Sequence, residues 1–220
     1  MNPRPYRADR RRSAAAETRR RIVEAVVDLH AERGVMATSY AMIAERADVA
    51  IPTVYNHFPK PGDLVAACFA HSMAQAPPLG PQIFDDAPDL EARLYALVRA
   101  LFAFYRFRAP VLRWTFYEAR LVTDMAALQK KASEGRRQLI ALALAPAFGP
   151  RPPEALAALC EILLDFPAWQ RFASEQGPSG EEAETVLAEA LIALARQHGA
   201  AARQARGAGR LRPRTGRRLT

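Results

Sequence analysis

Apolar residues recur at spacings of three and four along most of the chain, and no segment sustains an alternation of period two. That is the pattern of helices that bury one face, so the fold class expected is all-α. A first helix is expected from about Ser13 or Ala14 to Arg33. Its buried stripe is Ile22, Val23, Val26, Val27 and Leu29, and Gly34 ends it. Two short helices follow. Ile43, Ala44 and Ala47 mark the first, Asp48-Val49-Ala50 is a tight turn, and the second runs from about Ile51 to Phe58. Pro52 suits a first helical turn, where an N–H has no partner to lose. Val54 and Phe58, four apart, face inward together. A fourth helix from about Gly62 to Ala74 carries Leu64, Val65, Cys68 and Phe69, and the PPLGP run at 77–81 breaks it.

The rest also reads as helices. Residues 89–107 place Leu90, Leu94, Leu97, Val98, Leu101 and Tyr105 on one face. Pro110 is expected to open a shorter helix to about Leu121, and a long one over 124–145 to end before Pro146. A helix over 154–172 is expected to kink at Pro167. Ser179 and Glu182 have capping-box spacing for a last helix reaching about Gln197, with Gly199 as its stop. The expected organisation is a disordered basic arm over 1–13, a head of short helices over 14–75, a larger helical body over 82–199, and a disordered Arg-rich tail over 200–220.

Charge sharpens this division. The net charge of +8 is concentrated at the ends. Residues 1–21 hold eight Arg against Asp9 and Glu17, and residues 201–220 hold seven Arg and no acid, so the body between is mildly acidic. Arginine-rich ends attract phosphate without reading sequence, although solvated tails have the same composition. No apolar run approaches the ~20 residues that span a bilayer, and the Arg-rich start has no apolar signal core, so a cytoplasmic protein with no membrane partner is expected. Cys68 and Cys160 lie far apart with no ligand-like neighbours, which predicts buried thiols and neither a disulfide nor a metal site. The histidines show no HExxH spacing, and GxSxG, P-loop and GxGxxG motifs are missing. No enzyme and no cofactor is expected.

A short polar helix held by a three-residue turn against another helix is the helix-turn-helix plan, whose second helix enters a DNA major groove. The ordered series Gly34, Thr38-Ser39, Ile43-Ala44, Ala47, Val49, Thr53-Val54-Tyr55, His57-Phe58 and Leu64 also resembles the TetR-type bacterial transcriptional regulators. The resemblance covers roughly residues 17–70. Three positions depart from the family pattern: Asp48 stands where Gly is usual, Ala50 where a hydroxyl residue opens the recognition helix, and Pro61 where a basic residue is usual, with Lys60 one place early. In the resemblance, Tyr55 and His57 contact the DNA backbone. The phenol and imidazole can both donate to phosphate. Thr38, Ser39 and Thr53 can donate hydroxyls, Asn56 can pair with adenine if it points into the groove, and Lys60 can reach a phosphate.

The resemblance further implies a small-molecule pocket in the body. Phe102, Tyr105, Trp114, Tyr117, Phe166 and Trp169 are its candidate lining, with core packing as the alternative for each. A homodimer is expected through the last two helices. Leu156, Leu159 and Leu163 would face Val186, Leu187, Leu191 and Leu194 across a two-fold axis. The function expected is a ligand-responsive regulator of double-stranded operator DNA, in the usual family behaviour a repressor released by a small-molecule effector. The alternatives are a nonspecific nucleoid-type DNA binder, or a helical enzyme or carrier with a vestigial DNA-binding head.

Overall fold

A computed structural model of the chain describes residues 4–119, 121, 123–175 and 180–210. Among the described residues the structure is helical throughout, without strands. The helices are α1 (Arg4–Arg33), α2 (Tyr40–Arg46), α3 (Ile51–His57), α4 (Pro61–Gln75), α5 (Leu90–Glu118), α6 (Thr123–Phe148), α7 (Glu154–Leu163), the short α8 (Phe166–Trp169) and α9 (Gly180–Arg210). A 3-10 turn (Pro81–Phe84) precedes α5, and a π turn (Gln170–Glu175) follows α8. The chain divides into two compact units. One combines Met1–Pro77 with Phe104–Ser133, and the other combines Pro78–Ala103 with Glu134–Thr220. The first division falls within the PPLGP run, but residues 104–133 group with the head rather than with the body expected over 82–199.

The prolines and glycines behave differently from expectation in the long helices. α1 begins at Arg4, inside the stretch expected to be a disordered arm, because Pro5 falls in the first turn and strong helix formers follow it. Pro110 does not open a new helix. α5 runs through it, flanked by Leu97, Leu101, Phe102 and Tyr105 before it and Ala119 after it, all buried. The burial of these side chains outweighs the one hydrogen bond that a proline removes from the ladder. Pro146 likewise lies within α6. At Pro167 the chain breaks instead of kinking. α7 ends at Leu163, Asp165 accepts a hydrogen bond from the Ala168 N–H at 2.8 Å, and Pro167 takes an early position of α8. α9 continues past Gly199 to Arg210. Ser179, the expected cap of that helix, lies outside the described residues.

The head core is continuous from α1 to α4. Ile22, Val26 and Leu29 of α1 meet Ile43, Ala44 and Ala47 near α2, Val54 of α3, Phe58, and Leu64 and Cys68 of α4. In the body unit, Leu94, Leu97, Val98, Ile140, Leu144, Leu156, Leu164, Leu191 and Ala195 are buried. Arg93 ties this unit together from one side chain. It donates to the Leu142 carbonyl at 2.8 Å and the Ala87 carbonyl at 3.0 Å. Both cysteines are buried and unpaired. Burial raises each thiol to about 11, so neither is a thiolate near neutral pH.

Candidate nucleic-acid interface

The recognition element is built on two fully buried anchors. Val54 and Phe58 hold α3 to the head core, and this spacing leaves Tyr55 and Asn56 on the outer surface. Thr53 and His57 are half-buried beside them. The turn before α3 depends on Asp48, which takes the left-handed conformation at φ 52° in the place where glycine is usual. Arg21 reaches across from α1 to hold that turn. Its guanidinium donates to the Ala47 carbonyl and, at 2.7 Å, to the Asp48 carbonyl. Ala50 caps α3 without a side-chain hydrogen bond, as its sequence requires. α4 starts differently: the Asp63 carboxylate accepts from the Lys60 N–H at 3.3 Å, fixing Lys60 at the helix entrance with its side chain exposed.

Tyr55 is 51% exposed, yet its ring has a fixed neighbour. Tyr40 stacks on it with ring centroids 4.3 Å apart and 15° between planes. The Tyr40 hydroxyl donates to the Phe58 carbonyl at 2.9 Å. One tyrosine therefore ties the end of α3 to the start of α2 and orients the outward-facing phenol of the other. Tyr40 was missed by sequence reasoning. An aromatic residue at the start of a short helix is a weak signal until its partner's direction is known.

The hydroxyl residues have separate duties. Ser39, not Thr38, caps α2, accepting from the Met42 N–H at 3.3 Å, and it stays exposed. Thr38 donates its hydroxyl proton to the Gly34 carbonyl at 2.7 Å. The early arginines of α1 are also engaged within the head. Arg20 pairs with Glu17 and Glu24, and the Arg19 guanidinium lies 4.3 Å from the centre of the Phe58 ring. The outward surface of α3 and the entrance of α4 thus carry Tyr55, Asn56, His57 and Lys60, with Ser39 at the entrance of α2.

A second constellation in the same unit joins α1 to the end of α5. Glu118 is buried. Its carboxylate accepts from the Val35 N–H at 2.8 Å and the Met36 N–H at 3.0 Å. Trp114 Nε1–H and Arg113 Nη2–H both donate to the Ala31 carbonyl, at 3.1 and 2.8 Å. Gly34 allows this approach. It has φ +85°, and a Cβ there would lie 2.4 Å from Glu118 Oε1.

The six expected pocket residues do not converge within either unit. Phe102, Phe166 and Trp169 form a packed cluster in the body unit, with centroids 6.5 Å apart for Phe102–Trp169 and 5.4 Å for Phe166–Trp169. Tyr105 is buried in the head unit, Trp114 holds the end of α1, and Tyr117 is 79% exposed. Of the expected pairing residues, Leu156 and Leu191 are fully buried, as is most of Leu187. Leu159, Leu163 and Leu194 are half-buried. Val186 remains 45% exposed, and Ile162, which the heptad-like stripe omitted, is 63% exposed. Beside them a hollow of about 260 Å³ is lined by Leu163, Trp169, Phe172, Val186, Leu187 and Ala190, among others. Among the described residues there is no cluster of histidine, cysteine and carboxylate groups able to hold a metal, and no helix is long and apolar enough to cross a membrane.

A short, outward-facing helix on a buried two-residue anchor, packed across a turn against a second short helix, defines the helix-turn-helix class of DNA-binding heads. Residues 22–68 match the model of the bacterial regulatory proteins of the tetR family. No curated protein matches the chain. Among solved structures, a tetR-family transcriptional regulator from Streptomyces coelicolor superposes with a TM-score of 0.63 at 21% identity, over 92% of each chain. A transcriptional regulator of the TerR/AcrR family from Aquifex aeolicus superposes with a TM-score of 0.60 at 18% identity, over 80% of this chain and 99% of its own. An assigned transcriptional regulator from Saccharomonospora viridis, solved with choline, gives 0.58 at 23%, over 79% and 95%. At these identities the likeness is one of fold, and the described residues share the all-α architecture of these regulators.

Proposed function

We propose that the protein is a dimeric, ligand-responsive transcriptional regulator that binds operator DNA and is released from it by a small molecule. The observation that carries this is the Tyr40–Tyr55 stack between α2 and α3, which holds an exposed donor on the recognition helix above a fully buried anchor. Tyr55, His57 and Lys60 are the proposed phosphate contacts, with Ser39 at the start of α2. Thr53 and Asn56 are the proposed base contacts. Thr38 is given a lesser part, since its proton is already used within the head.

One α3 presents a small surface, so a symmetric pair reading two half-sites is the physical expectation. The exposed Ile162 and Val186, with the adjoining apolar hollow, support pairing through α7 and α9. Leu156 and Leu191 then serve the fold of each protomer, and the exposed residues serve the pairing. A ligand binding better to the DNA-free state shifts the balance towards release. The test is retention of the protein on its own upstream DNA and on random DNA at moderate salt. Selective retention supports a regulator. Equal retention that collapses with salt supports the nucleoid-type alternative.

A further inference from the structure

Among the described residues the first buried one of α1 is Ile22, yet the helix starts at Arg4. Residues 9–17 are exposed throughout, so these turns add no burial to the core of the head. Their composition is not neutral filler. The seam that buries Ile22, Val26 and Leu29 continues outward at helical spacing through Arg19, Ala15 and Arg11, with Arg12 beside it. Where the core ends, the same face of the helix turns from apolar to cationic.

Arg19 shows where this face points. Its guanidinium lies 4.3 Å from the centre of the Phe58 ring, at the end of α3. Phe58 directly follows His57 and stands two places before Lys60, both proposed phosphate contacts. Arg11 and Arg12 lie on that side about two turns further out, up to about 12 Å beyond Arg19. The other arginines of this stretch are in use. Arg20 pairs with Glu17 and Glu24, and Arg21 holds the turn before α3. Arg11 and Arg19 make no ion pair among the described residues. Arg12 meets Asp9 at 3.7 Å, an exposed pair that holds it weakly.

Adjacent arginines at 10–12 repel one another, and an anionic surface relieves that repulsion. Duplex DNA offers one charge per roughly 1.7 Å of its axis, so about 12 Å of it supplies several phosphates for this face. We infer that the outer turns of α1 form a preformed cationic arm whose Arg11 and Arg12 lie on phosphates flanking the half-site read by α3. This rests on the proposed operator binding and extends it to DNA beyond the half-site. Contacts of this kind fix position and add affinity without reading bases.

The test uses the full chain on its own upstream DNA, with affinity measured across a salt series and the protected stretch mapped by footprinting. Arg11→Gln with Arg12→Gln should weaken binding roughly ten-fold or more near 0.1 M salt. It should flatten the log–log salt dependence by about two to four units for a dimer, at about 0.9 per phosphate contact. The protected stretch should shorten at its outer edges and keep its half-sites. Arg11→Ser with Ser13→Arg keeps the composition and net charge but turns one arginine about 200° round the helix. It should lose about half as much slope as the Gln pair. Both variants should melt at the wild-type temperature, because the changed residues are exposed.

An unchanged slope and footprint in the Gln pair would overturn the inference. So would an exchange variant with the full wild-type slope, since diffuse charge would then suffice, or a lowered melting temperature, which would make these turns structural. Wild-type DNA binding in both variants, with only the wild type sedimenting with vesicles of anionic phospholipid, would reassign the face to a membrane surface. Selective retention that the variants keep unchanged fails the arm alone. A wild type without selective retention fails the regulator reading, and the arm's place beside a half-site with it.

Discussion

The contact between Gly34 and Glu118 can be tested as a coupled unit. Two backbone N–H groups, Val35 and Met36, end on one buried carboxylate at 2.8 and 3.0 Å. A hydrogen bond to a charged group contributes about 1.5–3 kcal/mol, and an unmade buried donor costs a similar amount. Glu118→Gln keeps the shape but turns one acceptor into a donor facing an N–H, so it should destabilise by about 2 kcal/mol. Glu118→Ala loses both acceptors and should destabilise by about 3–5 kcal/mol. Gly34→Ala adds about 1–2 kcal/mol of left-handed strain and drives a Cβ into the carboxylate, whose Oε1 would lie 2.4 Å away. Because both substitutions break the same bonds, the double variant should be less destabilised than the sum of the two by about 1 kcal/mol or more. Urea unfolding followed by circular dichroism measures all four proteins. Strict additivity, or Glu118→Gln within about 0.5 kcal/mol of wild type, would refute the reasoning.

Other expectations follow from single features. Tyr55→Phe and His57→Ala should each weaken operator binding by about 1–2 kcal/mol at fixed salt without lowering stability, and unchanged affinity in both removes them as contacts. Tyr40→Phe should weaken it too, since the Phe58 carbonyl loses its donor and the stacked ring its tether; a full-affinity variant contradicts the positioning role. His30 is buried, and burial lowers its pKa from 6.5 to about 4. Its folded value lies below its unfolded one, so the unfolded chain takes up the proton first and stability is lost as pH falls from about 6.5 towards 4. The loss should be about 2 kcal/mol between pH 6.5 and 5, and absent in His30→Leu, by unfolding at several pH values. Ile162→Glu with Val186→Glu should give a folded monomer by light scattering, and a dimeric double variant would move the pairing surface elsewhere. Deleting residues 201–220 should leave the preferred sequence unchanged and, if the Arg run sits on DNA, flatten the salt dependence by up to a few units of slope.

The head was legible because its signals are local. Apolar spacing gave the stripe on α1, the Val54 and Phe58 pair fixed which side of α3 faces out, and Asp48 adopted the left-handed turn that its position demanded. Helix ends after α4 were less legible. A proline is a strong stop signal from sequence, yet at Pro110 and Pro146 the burial on either side decides, and that burial is set by residues distant in the chain. Glu118 and Trp114 illustrate the same limit. Their partners lie more than 80 residues away, so a carboxylate that holds two backbone donors looks in sequence like any surface acid.

The central claim is that α3 reads DNA as part of a symmetric pair. Footprinting of the protein on its own upstream DNA tests it most directly. The account predicts one protected site with two related half-sites about one helical turn, or a multiple of it, apart, and loss of that protection in the Tyr55→Phe, His57→Ala double variant. Protection spread without preferred position, or a discrete footprint that the double variant leaves intact, would contradict it.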